Sequence, residues 1–187
     1  MLKRGQIQRV EREVNTLIQN VNNTFKHRSR SQANWREWEV ATQAWHNYHN
    51  PLFYLWGIEA RERMRLGDRA VIEDAILLLE VDPWFFRSGY LKERVLRHLK
   101  SAELLEKDRM RLRVVIENVA FGRNRREFRD YCRLALCVWT SEWETHLRQK
   151  REIPNVTGQG KVSYLLKFLE AQRDKLNEES NVINRLS

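Results

Sequence analysis

Residues Ala75 to Leu99 read AILLLEVDPWFFRSGYLKERVLRHL, and the interruption inside that stretch decides the fold. Before it, Val71, Ile72, Ala75, Ile76 and Leu79 recur at the 3.6-residue period of one helix face. After it, Phe85, Phe86, Tyr90, Leu91, Val95, Leu96 and Leu99 do the same. Asp82-Pro83 separates the two patterns. A residue before proline avoids the helical basin, while proline itself suits the first position of a new helix. The stretch therefore predicts a helix capped by Asp68, a tight turn, and a second helix folding back on the first.

Working outward, the same unit recurs on both sides. Upstream, Asn34 is expected to cap a helix bearing Trp35, Trp38, Thr42 and Trp45 that stops at Asn50-Pro51. A second helix then runs from Pro51 to about Leu66 and is closed by Gly67. Downstream, a helix from about Ala102 to Phe121 breaks at Gly122, and the chain resumes with Phe128, Cys132, Ala135, Leu136, Trp139 and Trp143 inward. The breaks at Pro51, Pro83 and Gly122 lie 32 and 39 residues apart. Helical hairpins recurring at that period predict an all-α chain, a short α-solenoid of about three hairpins in which each unit buries its apolar face against its neighbours.

The Ala75 to Leu99 segment resembles a HEAT repeat: an apolar first helix, an Asp-Pro turn at Asp82 and Pro83, Arg87 in the first turn of the second helix, and an aliphatic run of Leu91, Val95 and Leu96. The outer units depart from that pattern. Asn50-Pro51 answers to the turn in one, and Gly122 replaces the proline in the other. The resemblance implies a scaffold that holds other proteins, with nucleic-acid binding along a basic concave surface as the alternative.

Flanking helices complete the organisation. Ile7, Val10, Val14, Leu17 and Val21 alternate at spacings of 3 and 4, which predicts a helix over roughly residues 3–24. Its apolar seam would dock on the rest of the chain or form a homodimer through residues 3–24. At the other end, Ile153 to Lys161 (IPNVTGQGK) predicts a loop, and Val162, Leu165, Leu166, Leu169 and Leu176 predict one more amphipathic helix before a fraying polar tail. Three parts are thus expected: a basic N-terminal helix and linker (1–33), a helical-repeat domain (34–151), and a loop, helix and tail (152–187).

Composition narrows the class. The 187 residues include only 7 Gly, 3 Pro and 2 Cys, which excludes collagen-like, low-complexity and disulfide-framework proteins. With 42% apolar residues the chain can build a core, yet its longest apolar runs, Leu52 to Trp56 and Ala75 to Leu79, are far below a membrane span of about 20 residues. The opening MLKRGQIQRVEREV has no apolar core behind its basic residues, so a cytoplasmic location with reduced thiols is expected. The formal charge of +9 is uneven: residues 1–33 hold seven basic against two acidic groups, and residues 101–151 twelve against eight. Arg outnumbers Lys 25 to 9, and guanidinium groups bind phosphates and carboxylates in a fork.

Few residues are arranged for chemistry. Glu39, His46 and His49 form a conceivable metal set, but the His-x-x-His spacing is not that of a zinc peptidase, and they read as edge residues of a Trp-rich core. Cys132 shares a face with Phe128, Ala135 and Trp139 and reads as a buried hydrophobe. Phosphate loops, nucleophile elbows and paired catalytic carboxylates are missing from the sequence, so no catalytic residue, metal or cofactor is assigned.

The sharpest signal is arginine. Arg109, Arg111 and Arg113 precede the Gly122 break, and Arg123, Arg125, Arg126, Arg129 and Arg133 follow it, eight basic against three acidic residues between 109 and 133. The i, i+4 pairs Arg123/Glu127 and Arg126/Asp130 would make this an ordinary solvated face. A convergence of the arginines would instead make it a site for an anionic partner. The seven Trp are expected to be mostly core, because each buries enough surface to contribute about 2 to 3 kcal/mol. The expected function is a non-enzymatic adaptor whose partner is a protein with an acidic surface. The alternative is DNA or RNA binding through the eight arginines together with Lys3, Arg4, Arg9, Arg12, Lys26, Arg28 and Arg30.

Overall fold

The computed structural model describes residues 1–153 and 158–186, with side chains as far as residue 175. Among the described residues every element is helical: α1 (Arg4–Phe25), α2 (Gln32–His46), a 3-10 helix (Pro51–Trp56), α3 (Ile58–Arg65), α4 (Arg69–Val81), α5 (Ser88–Leu99), α6 (Glu106–Phe121), α7 (Phe128–Val138), α8 (Ser141–Arg151) and α9 (Gln159–Leu186). They gather into two compact units, Met1–Glu103 and Leu104–Ser187.

The predicted central hairpin forms. Asp68 caps α4 through its carboxylate, which accepts from the backbone N–H groups of Ala70 and Val71. The helix stops at Val81 because Asp82 takes the left-handed conformation at φ 54. The Asp82 carboxylate is held there by the buried Lys92 ammonium of α5, 2.7 Å away. One detail differs from the HEAT-like expectation: Arg87 sits just ahead of α5, itself left-handed at φ 68, and Phe85 and Phe86 belong to the turn. Ile72, Ala75, Ile76 and Leu78 of α4 and Leu91, Val95, Leu96 and Leu99 of α5 are fully buried.

Around that pair the first unit departs from the predicted repeat. The segment 51–66 is a 3-10 helix and a short α3 separated at Gly57, and both pack on α5. α2 begins at Gln32, two residues before Asn34, because Ser31 Oγ caps it by accepting from Asn34 N–H at 3.2 Å. Its packing partner is α1 rather than the segment that follows it. Gly67 at φ 77 ends the α3 region as expected, in a conformation glycine adopts without cost.

The apolar seam of α1 serves the interior of its own chain. Ile7, Val10 and Val14 are completely covered, against α4 and the 3-10 helix, while Leu17 and Val21 are half-buried beside α2. The buried Asp74 carboxylate in α4 fastens the start of the chain by accepting from Leu2 N–H and the Tyr54 hydroxyl.

In the second unit, α6 and α7 pair, and α9 packs on α6, α7 and α8. Val162, Leu165, Leu166 and Leu169 are buried as the sequence indicates, whereas Leu176 lies outside the residues with described side chains, and part of the Ile153 to Lys161 loop lies outside the described residues. The helix predicted through Trp143 ends at Val138, because Thr140 Oγ1 accepts from Trp143 N–H and starts α8. That break resets the helical phase for α8 alone; within α7, Tyr131, Leu134 and Val138 are buried beside Cys132 and Ala135, while Leu136 and the C-capping Trp139 are only half-buried.

The expectation that most Trp are core does not hold. Trp143 is buried, Trp38, Trp45 and Trp139 are half-buried, and Trp35, Trp56 and Trp84 are exposed, Trp84 by 60%. The reason is architectural: α2 leans mainly on α1 and buries no residue, and Trp84 rides on the Asp82–Arg87 turn.

An Ile7→Ala variant is expected to lose about 2 to 5 kcal/mol of stability in chemical denaturation, the range for a buried aliphatic truncation. A neutral result would show that α1 is a detachable arm.

Candidate functional site

The eight arginines singled out by the sequence separate into two groups. Arg113 is 86% covered in effect: its side chain is only 14% exposed, its Nε donates to Val138 O at 2.6 Å, and a terminal nitrogen lies 2.9 Å from Glu106 Oε1. It therefore ties the last carbonyl of α7 to the first turn of α6. Arg133 pairs with Asp130 at 3.0 Å on its own helix. Arg109 and Arg123 are exposed and Arg111 is half-buried, and none of these five lines the cleft described next.

Arg125, Arg126 and Arg129 do come together. With Phe128, Gly160, Lys161 and Tyr164 they line an open cleft of about 340 Å³ at the N-terminal ends of α7 and α9. No acidic side chain lines it. The rings of Phe128 and Tyr164 are 6.0 Å apart at 50°. Both helix starts point the positive ends of their dipoles toward this region, which adds to the field of the four cationic side chains.

The cleft exists because α9 docks on the end of α6. The Lys161 ammonium donates to Val119 O at 3.0 Å, to Arg123 O at 2.8 Å and to Gly122 O, gathering carbonyls at and just beyond the C-terminal end of α6. Burial, followed by the nearby charge of Arg125, holds the Lys161 pKa below the ordinary lysine value. All three of its donors are engaged, so Lys161 offers a partner its charge and not its hydrogen bonds. Gly158 makes the approach possible. At φ 82 it is left-handed, and a Cβ built on it would lie 2.4 Å from Ala120 O and 2.8 Å from Phe121 Cα.

A second network fixes α9 to α8. The nearly buried Glu144 carboxylate accepts from Arg148 at 2.7 Å and Trp139 Nε1 at 2.8 Å, and lies 2.9 Å from an Arg173 terminal nitrogen. Burial would raise its pKa, but these hydrogen bonds and the two guanidinium charges outweigh it and leave the group below its ordinary value.

Sequence reasoning found three of the seven lining residues. Phe128 had been assigned to the core, and Gly160, Lys161 and Tyr164 were missed. The signal for Tyr164 was present, since it lies off the Val162, Leu165, Leu166 and Leu169 stripe and is an aromatic on the polar face of α9.

Elsewhere the chemistry is sparse. Among the described residues no three His, Cys, Asp or Glu side chains gather to hold a metal ion, so Glu39, His46 and His49 do not form a set. The Cys132 thiol is buried and pushed up to about 12 by that burial, which keeps it protonated and unreactive. Among the described residues no helix is long and apolar enough to cross a membrane. Compared with protein-family models, with curated proteins and with solved structures, the chain matches none.

Arg113→Ala is expected to cost about 1.5 to 3 kcal/mol in thermal denaturation, the range for charge-assisted hydrogen bonds, whereas Arg129→Ala should leave stability within about 0.5 kcal/mol. Glu144 also sets a pH dependence. Because its folded pKa lies below the unfolded value of about 4.3, its contribution is complete above that pH and is lost as pH falls through the folded value. Urea titrations should therefore show the gap in stability between the wild type and Glu144→Gln closing as pH is lowered from neutrality through that window.

Proposed function

We propose that this chain is a non-enzymatic, HEAT-like helical adaptor of the cytoplasm that takes an acidic segment of a protein partner into the Arg125, Arg126 and Arg129 cleft. The observation that carries this reading is the lining itself: three guanidinium groups, a fourth cation and two aromatic rings, with no carboxylate among them. Guanidinium forks match carboxylates in geometry as well as charge. The Phe128 and Tyr164 rings supply the apolar contact that an acidic segment with a bulky side chain needs for an anchor.

Nucleic acid is the second reading, and one observation favours it. An aromatic pair beside arginines is also a platform on which bases stack. In that case Lys3, Arg4, Arg9, Arg12, Lys26, Arg28 and Arg30 of the first unit would supply phosphate contacts of their own. Arg28 is the least suited of these, since its guanidinium lies 3.4 Å from the Phe25 ring centroid and donates to Phe25 O.

Fluorescence anisotropy with a labelled Asp/Glu-rich peptide containing one aromatic residue, and with a labelled duplex, separates the two. The adaptor reading expects peptide binding that falls at least about tenfold in an Arg126→Gln/Arg129→Gln double variant and is unchanged in Arg109→Gln. Preferential retention of the duplex, with log K falling against log salt at a slope near about −5 for some six phosphates, would replace it with the nucleic-acid reading.

A further inference from the structure

The first unit holds a different cleft, of about 210 Å³, lined by Trp45, His46, Tyr48, Asn50, Phe53, Phe86 and Arg87. Four of its walls are aromatic. Trp45 meets Phe86 edge to face with centroids 5.7 Å apart, and Phe53 and Phe86 stand 38% and 48% exposed. Exposed aromatics in this density are what binding surfaces are made of.

The walls are held in place before any partner arrives. Pro83 and Phe85 are buried and root the turn that carries Phe86. On either side of that root, Trp84 N–H donates to Glu11 at 2.7 Å, Asn15 Nδ2 donates to Trp84 O at 2.9 Å, and Phe85 N–H donates to Ser88 Oγ at 3.1 Å. Arg87 closes the turn in the left-handed region, a conformation that costs a non-glycine residue energy, and its guanidinium lies 5.4 Å from the Phe86 ring centroid.

The side chains of this cleft leave two strong donor groups without acceptors. Tyr48 donates its hydroxyl proton to Glu13 at 2.9 Å, and the Asn50 carbonyl oxygen accepts from Leu52 N–H at 2.9 Å. Those donors are the Asn50 amide nitrogen and the Arg87 guanidinium, and neither has a hydrogen-bond acceptor among the described residues. No carboxylate lines the cleft. A proline run brings carbonyl acceptors and no N–H groups, with rings that pack against aromatic faces, and it is already extended as a polyproline II helix.

We propose that this aromatic cleft binds a proline-rich peptide segment in the polyproline II conformation, with an acidic residue beside the prolines paired to Arg87. The site is separate in the chain from the Arg126 and Arg129 cleft and does not depend on the function assigned there.

The test uses the full chain and oligoproline peptides flanked by Glu or by Gln, with an alanine-for-proline counterpart, read by anisotropy and by Trp fluorescence. The Glu-flanked oligoproline should bind, and Phe86→Ala should weaken it by about tenfold while circular dichroism stays unchanged. Arg87→Gly suits the left-handed backbone, so it should preserve the fold, reduce the Glu-flanked peptide to the affinity of the Gln-flanked one, and leave the latter as it was. Arg126→Gln/Arg129→Gln should bind both peptides as the wild type does. The proposal is overturned if the folded wild type binds neither peptide at millimolar concentration. Equal binding of the alanine counterpart, or indifference to Phe86→Ala, overturns it as well.

Discussion

A chain whose described residues form nine α-helices, with seven glycines and three prolines in its sequence, must end most of those helices without the residues that end helices most easily. That constraint shapes the whole molecule. At several ends the last carbonyls or first amides are taken by side chains instead: Ser31, Asn50, Asp68 and Thr140 at helix starts, Arg113 at the end of α7 and Lys161 at the end of α6. Where the chain must turn sharply, Asp82 and Arg87 accept left-handed backbone that glycine would take without strain. Their neighbours hold them there, through the Lys92 ammonium in one case and the fastened turn in the other.

Both clefts follow from this. In the second unit, the lysine that satisfies the end of α6 also brings the first turn of α9 beside that of α7, and the arginines around those turns then face a common space. In the first unit, the turn closed by two left-handed residues displays Phe86 and Arg87 next to the end of α2. Each candidate site is thus a by-product of how a helix was terminated, with its walls fixed by hydrogen bonds made for another reason. Such preorganisation lowers the entropy lost when a partner binds.

The arginine count has also acquired a different meaning. Of the eight that the sequence grouped, Arg113 is a structural fastener and Arg133 is matched to Asp130, so charge alone overstated the site. The aromatic count erred in the opposite direction. Seven Trp suggest a rich core, but the interior is mainly aliphatic, with Tyr131, Phe85 and Trp143 as its buried aromatics, and Trp35, Trp56 and Trp84 stay exposed.

The helical class, the Asp68 cap, the Asp82-Pro83 reversal, the Gly67 and Gly122 breaks and the buried stripe of α9 were legible in the sequence, because each depends on residues a few positions apart. Caps, breakers and periodicity act through local backbone geometry, and a linear reading contains everything they need. The pairing of α2 with α1, the phase reset at Thr140 and the exposure of Trp35, Trp56 and Trp84 were not legible, since burial depends on which distant surface arrives to cover a face. The arginine cluster was visible as composition. Which three arginines share a cleft was decided only when Lys161, more than thirty residues away, met the carbonyls at the end of α6, a contact that Gly158 alone leaves room for.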